Sequence, residues 1–298
     1  MNISRSVTLS KKIKPLLFIA PALIYLGIWI YYPIIRNFVL SFMDAPTPRS
    51  RDYFFVGLKN YATLFQDEVF LGAVWHNIIW VLLSIAIPVV IGFLLAVLLS
   101  GRRRSRLIYA SIYFIPHTVA ALIVAIVWRW IYDPNIGPLN QGLELLGLAG
   151  WTRHWLADES IVLFCLNMMG SWSYVGFVVL IFLAGLQNIS PELYEAAKLD
   201  GANAVQQLIR LTIPLLRNTI MFVVVYTIIN SMKFFDLVFV ATNGGPNDAS
   251  QIVGVYIYNI FLREGRINYG ATMSTVLTAI ILVSSIFIIR HIVRDQEI

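Results

Sequence analysis

Glu195-Ala196-Ala197-Lys198-Leu199-Asp200-Gly201-Ala202, followed by Leu211-Thr212-Ile213-Pro214-Leu215, lies between two apolar runs long enough to cross a membrane. The segment around it, 188–217, has the grammar of a short helix on a membrane surface. Ser190 suits the N-cap, Pro191 the first helical position, and Glu192 complements the positive end of the helix dipole. Gly201 can take the left-handed conformation that stops the helix. The small side chains of Ala196 and Ala197 leave one face shallow, so another protein's backbone can approach closely. A second helical stretch is expected over Ala202 to Leu211, with Pro214 bending the approach to the next apolar run. On these signals alone the segment is either a capped connector or a docking element.

Composition explains why the segment is flanked as it is. Hydrophobic residues make up 58% of the 298 and charged residues 13%, against roughly 45–50% and about 25% in soluble domains. Apolar runs of about 20 residues, the length that spans a ~30 Å hydrocarbon core, recur at Leu16 to Ile35, Val74 to Leu99, Leu107 to Ile131, Ile161 to Leu186, Thr219 to Ala241 and Ala271 to Ile289. The fold class is therefore an all-α integral membrane protein with six transmembrane helices, forming a single domain over 1–298. The first run follows Lys11, Lys12 and Lys14 but continues past Pro21 without a small-x-small cleavage site, so it reads as a retained span.

Basic residues orient the spans, because cytoplasmic loops retain an excess of Lys and Arg. Arg5, Lys11, Lys12, Lys14, Lys198, Arg210, Arg217, Arg290, Arg294 and the cluster Arg102, Arg103, Arg104 and Arg106 share one side. Only Arg36, Arg49, Arg51, Lys59, Arg153, Arg263 and Arg266 fall on the other. Both termini are expected in the cytoplasm of a bacterial or archaeal plasma membrane, and the net charge of +6 reads as membrane anchoring rather than a nucleic-acid patch. Cys165 has no partner in the chain and reads as a small buried hydrophobe. On the outer side, Phe55 to Tyr61 suggests a packed cap or short surface helix, and Leu143 to Leu148 a short amphipathic piece after the turn Pro134 to Pro138.

The full spacing, Glu-Ala-Ala, Asp-Gly-Ala, then hydrophobic-x-Ile-Pro-Leu, resembles the coupling loop of ATP-binding-cassette importer permeases. Pro21 to Phe42, Phe55 to Tyr61, and Phe235-Asp236-Leu237-Val238 leading to Thr242-Asn243-Gly244-Gly245-Pro246 narrow the resemblance to carbohydrate-importer permeases related to the larger maltose-permease subunit. The likeness covers Leu16 to Val293. It departs where Asn218 stands at a position often proline in the family, and Ile213 where leucine is usual.

The resemblance implies a type I importer permease fold. The implied partners are a second homologous permease, two ATPase subunits, an external solute-binding protein and membrane lipids, with no nucleic acid. The chain has no phosphate-binding loop or recognisable catalytic motif, so it is expected to hold no cofactor and no metal and not to be an enzyme, ATP and magnesium being bound by the ATPases. The resemblance assigns Glu192, Glu195, Ala196, Ala197, Asp200, Gly201 and Pro214 to ATPase coupling.

Polar and aromatic residues share one helical face in two spans: Asn167, Ser171 and Tyr174 in the fourth, and Thr227, Asn230, Ser231 and Phe234 in the fifth. Such faces serve either as interhelical glue or as a sugar path. By resemblance the path residues are Ser171, Tyr174, Thr227, Asn230, Ser231 and Phe234, and more loosely His117, which can instead bond a backbone carbonyl freed by Pro116. Lys233 and Asp236 either serve function, as intramembrane charges usually do, or neutralise each other near the outer boundary. Trp128, Arg129 and Trp130 read as part of the outer interfacial belt. An ion-gradient-driven secondary transporter is the rival class, but it predicts inverted repeats, and none is visible. An intramembrane enzyme would need paired catalytic groups, whereas Asp236 is the sole carboxylate at membrane depth.

The topology is testable with single cysteines in a Cys165-free background. Those at Ser6 and Ser105 are expected to resist an impermeant thiol reagent added outside, and one at Ser50 to react; outside labelling of the first two would overturn the orientation.

Overall fold

The computed structural model describes residues 18–101 and 105–294; Arg5, Lys11, Lys12, Lys14 and Arg102 to Arg104 lie outside them. Among the described residues, four helices are long and apolar enough to cross a membrane: Phe18–Leu40, Glu68–Ser100, Val162–Gln187 and Ile267–Phe287. Two bent pairs pass the same test together, Arg106–Thr118 with Ala121–Ile131 and Ala204–Leu215 with Arg217–Met232, which brings the membrane-crossing elements to six.

The expected unbroken third span is bent by 92°. Pro116 removes a helical donor, and the chain then runs extended at Val119 (ψ 133°) and Ala120 (ψ 137°) before the helix restarts. In the fifth span the helix stops at Met232, three residues break it, and a short helix resumes over Asp236–Ala241. The bend before that span measures 70° and falls at Leu216 rather than at Pro214. Pro214 lies within the helix Ala204–Leu215, directly after its π turn Leu208–Thr212, where the looser turn accommodates the missing N–H.

The chain divides into two compact units, Met1–Gln66 with Ile257–Thr278, and Asp67–Tyr256 with Ala279–Ile298. In the first, a two-stranded antiparallel pairing sets Met43 opposite Phe55 and Asp44 opposite Phe54. The helix expected near Tyr61 forms as Lys59–Leu64. Its buried Asn60 donates to the Met43 carbonyl at 2.8 Å, and the Tyr61 hydroxyl meets that of Ser41 at 2.6 Å. Thr272 donates to the Ser41 carbonyl and Asn268 to that of Leu40, satisfying carbonyls that the end of the first span leaves open.

The second unit is built around Val162–Gln187. One apolar cluster gathers Trp80, Val124, Leu166, Met169, Leu237 and Ile252, and a second gathers Val89, Ala96, Val178, Phe182 and Val223. Cys165 is buried in the first cluster, as expected of a small hydrophobe. The loop between the third and fourth spans carries its helix at Pro138–Leu145, earlier than the Leu143 to Leu148 piece expected, because Pro138 takes a first-turn position. Two turns in this loop are tied by carboxylates. Asp133 accepts the Ile136 and Asn135 amides and Asp158 the Ser160 hydroxyl and amide, and both carboxyls are held below their ordinary range.

Burying apolar surface drives little helix association inside lipid, whose tails are as apolar as leucine, so close packing carries more of the work. Gly176 is where this matters most: a Cβ there would collide with the Tyr113 backbone of Arg106–Thr118. Gly176→Ala is expected to destabilise the folded chain by about 1–3 kcal/mol. Gly72→Ala, whose Cβ would meet nothing within 4 Å, serves as the control. Thermal unfolding of the purified variants checks this, and equal midpoints would refute tight packing at Gly176.

Candidate functional site: a polar cavity and an exposed helix

Within the second unit, the second, third, fourth and fifth spans enclose a cavity of about 410 Å³. Ser171, Tyr174, Thr227, Asn230, Ser231, Phe234 and His117 all line it. The helical period gathers Ser171 with Tyr174 and Thr227 with Asn230 and Ser231, each set on one face of its own helix. Phe234, expected on the same helical face, lies instead in the break after Met232 and reaches the cavity from there.

Hydrogen bonds fix the walls. Asn167, 1% exposed, donates to the Ser84 hydroxyl at 3.0 Å and to the Trp80 carbonyl at 3.3 Å, and accepts from Ser171 at 3.1 Å. One buried amide thereby ties the second span to the fourth. The Tyr174 and Thr227 hydroxyls meet at 2.9 Å, tying the fourth to the fifth, while Thr227 also donates to the Val223 carbonyl. Asn230 donates to the Tyr226 carbonyl at 2.8 Å, which leaves its side-chain oxygen available as an acceptor.

Aromatic rings form the apolar faces. Phe234 stacks on Trp80 with centroids 4.7 Å apart. His117 stacks on Phe177 at 5.2 Å, and Phe177 on Tyr226 at 5.0 Å, so His117 sits in an aromatic row at the cavity wall.

Lys233 and Asp236 both line the cavity, and among the described residues no ion pair joins them. Of the two readings left open for this pair, mutual neutralisation is the one the geometry does not support. The helix break between Met232 and Asp236 turns both toward the cavity. Trp80, Ser84 and Pro88 of the second span were not assigned to the site from sequence. A signal existed in Pro88, which stands inside an apolar run and sits in a π turn over Ile85–Val89. Arg129 donates to the Val240 carbonyl, and Trp130 is exposed beside it.

The segment carrying Glu195-Ala196-Ala197 folds as the helix Pro191–Leu199. Ser190 caps it by accepting the Glu192 amide, and Gly201 takes φ 79° immediately after it. Glu192, Glu195, Ala196, Asp200 and Gly201 are exposed, as is Pro214, while Ala197 is half-buried. The second stretch starts at Ala204 rather than Ala202, because Asn203 and Gln206 form a reciprocal capping box there. The link between the two helices is the hydroxyl pair Tyr194 and Thr212 at 3.0 Å, which no short-range pattern announced. Among the described residues no cluster of His, Cys, Asp or Glu could hold a metal.

A family model described as the binding-protein-dependent transport system inner membrane component matches residues 88–297. The chain is 32% identical to the probable ABC transporter permease protein YurN of Bacillus subtilis, over 96% of this chain and 98% of that one. It is 31% identical to the arabinooligosaccharides transport system permease protein AraP of the same organism, over 95% and 89%. A chain of a bacterial ABC transporter involved in import of the acidic polysaccharide alginate superposes with a TM-score of 0.83 at 25% identity, over 97% of this chain and 99% of that one.

Proposed function

Because the chain belongs to the binding-protein-dependent transport system inner membrane components, we propose that it is the permease subunit of an ATP-driven importer that moves a carbohydrate into the cytoplasm. Membership makes it a multi-pass membrane transport subunit. The carbohydrate reading is carried by one observation: a cavity between spans that combines hydroxyl and amide groups with stacked aromatic rings.

A sugar presents hydroxyls at its rim and C–H surfaces on its faces. Ser171, Thr227, Asn230 and Ser231 supply partners for the first, and Phe234, Trp80 and Tyr226 supply surfaces for the second. The names of the arabinooligosaccharide and alginate relatives support the same substrate class.

ATP hydrolysis, with its magnesium, belongs on this reading to two separate ATPase subunits. The helix Pro191–Leu199 couples them to the spans. Capped at Ser190, stopped at Gly201 and tied through Tyr194 to Thr212, it can transmit a push that a flexible loop would absorb. Glu195 offers a charge to a basic partner, and Ala196 and Ala197 permit close approach. The solute-binding protein docks on the outer face, both termini lie in the cytoplasm, and a second homologous permease completes the path. An importer of this class stops when ATP is withheld from the reconstituted complex, whereas an ion-driven transporter continues.

Asn230→Ala and Phe234→Ala are each expected to weaken sugar handling by ~1–3 kcal/mol, because a buried partner loses its counterpart. Uptake should fall while the assembled complex still hydrolyses ATP. Normal uptake by both variants would make this cavity a packing defect rather than a path.

Gly201→Val is expected to be the most damaging change in the coupling helix, since a β-branched residue strongly disfavours positive φ. Glu195→Lys should reverse the charge at the contact. Both variants should insert normally and fail to couple. Retained ATPase co-purification and retained sugar-stimulated hydrolysis in both would reduce the helix to a connector.

A further inference from the structure

The first unit holds a second cavity, of about 580 Å³, lined by Arg36, Arg49, Arg51, Tyr53 and Ile267. Three arginines therefore border one space whose lining includes no acidic residue. Asp52 is adjacent in sequence but outside the lining, and Glu264 is paired with Arg266 at 3.8 Å. Among the described residues no ion pair engages Arg36, Arg49 or Arg51. Like charges gathered this way repel unless an anion sits among them.

The site is held rather than incidental. Arg49 has a left-handed backbone, φ 66°; its amide donates to the Gly265 carbonyl at 2.9 Å and its guanidinium to the Arg263 carbonyl at 3.3 Å. Gly265 also has positive φ, and a Cβ there would strike the Arg49 side chain. Arg36 lies one turn before the end of the first span, and Tyr31, Tyr32, Ile35 and Phe38 around it are exposed. An arginine at that depth beside exposed apolar and aromatic side chains stands at the bilayer boundary, where it needs a partner.

We propose that this cavity binds the phosphodiester of an anionic phospholipid from the leaflet at the end of the first span remote from the amino terminus. Guanidinium forks match phosphate oxygens bidentately, and the neighbouring apolar surface of the span accepts the acyl chains. The site requires only that the first span crosses a bilayer, so it stands or falls separately from the sugar cavity.

The test uses the whole purified complex, delipidated and then offered dioleoylphosphatidylglycerol, dioleoylphosphatidylcholine or inorganic phosphate, with lipid retention read by native mass spectrometry and protection read by thermal unfolding. Wild type should retain phosphatidylglycerol over phosphatidylcholine. Arg36→Gln and Arg51→Gln should each lower that retention roughly fivefold, with subunit assembly and ATP hydrolysis unchanged. If the glutamine variants fail to assemble, the pair Arg36→Lys and Arg51→Lys, which keeps the charge and loses the fork, should still prefer phosphatidylglycerol. Equal retention of the two lipids, or retention unaffected by the substitutions, overturns the proposal. So does Arg-dependent protection by inorganic phosphate equal to that by lipid, which would make the ligand a free anion. Weakened binding of the solute-binding protein with unchanged lipid retention would assign the arginines to that protein and overturn it as well.

Discussion

Inside a bilayer every backbone N–H and C=O must find a partner within the protein, because hydrocarbon offers none. Irregular backbone at membrane depth is therefore tolerated where it is packed in protein or lines a hydrated space. The second unit departs from regular helix near Pro88, at Val119 and Ala120, and at Lys233 to Phe235. Pro88, Val119, Ala121, Lys233, Phe234, Phe235 and Asp236 all line the same cavity. Breaks and cavity have one cause: each interruption exposes polar backbone that a water-accessible space can solvate.

That constraint also explains why polar side chains do two jobs in the cavity wall. Asn167 links Trp80 and Ser84 to Ser171, and Tyr174 reaches Thr227. Helix–helix hydrogen bonds in membranes average only about 0.6 kcal/mol, so these contacts position walls more than they stabilise the fold. Glue and path are thus compatible uses of one helical face. Asn167 spends its amide on the neighbouring helix, while Asn230 bonds within its own helix and keeps an acceptor free.

Much of this was legible in the sequence, and the exceptions have physical reasons. Apolar run length gave the six crossing elements, and the 3.6-residue period grouped Ser171 with Tyr174 and Thr227 with Asn230 and Ser231, whereas Phe234 falls in the break beyond the helix end and the period does not reach it. The caps at Ser190 and Gly201 were readable because capping depends on neighbours within a few residues. Asn203 and Gln206 carried a similar local signal that went unread. Bends were harder. Proline marks a weakened place without fixing where the chain yields: Pro214 follows a π turn inside its helix and the bend falls at Leu216, whereas Pro116 stays helical and the chain extends three residues later. Trp80 and Ser84 look like any residues of an apolar run until the fourth span is packed against them. The Tyr194 and Thr212 pair, eighteen residues apart, needed the fold.

The same pair gives the proposed coupling its mechanical sense. Thr212 is 3% exposed and precedes the 70° bend, whereas the exposed side chains of Pro191–Leu199 point away from the chain. On that proposal a load applied at Glu195 would pass through the capped helix that also carries Tyr194 and across one hydroxyl contact to Thr212, next to the bend that leads into Arg217–Met232. That helix carries Thr227, Asn230 and Ser231 in the cavity wall and ends at the break that presents Lys233. Rigid elements joined by one bend convert a small displacement at the surface into a change of angle, and the residues furthest along the helix, those at the cavity, move the most.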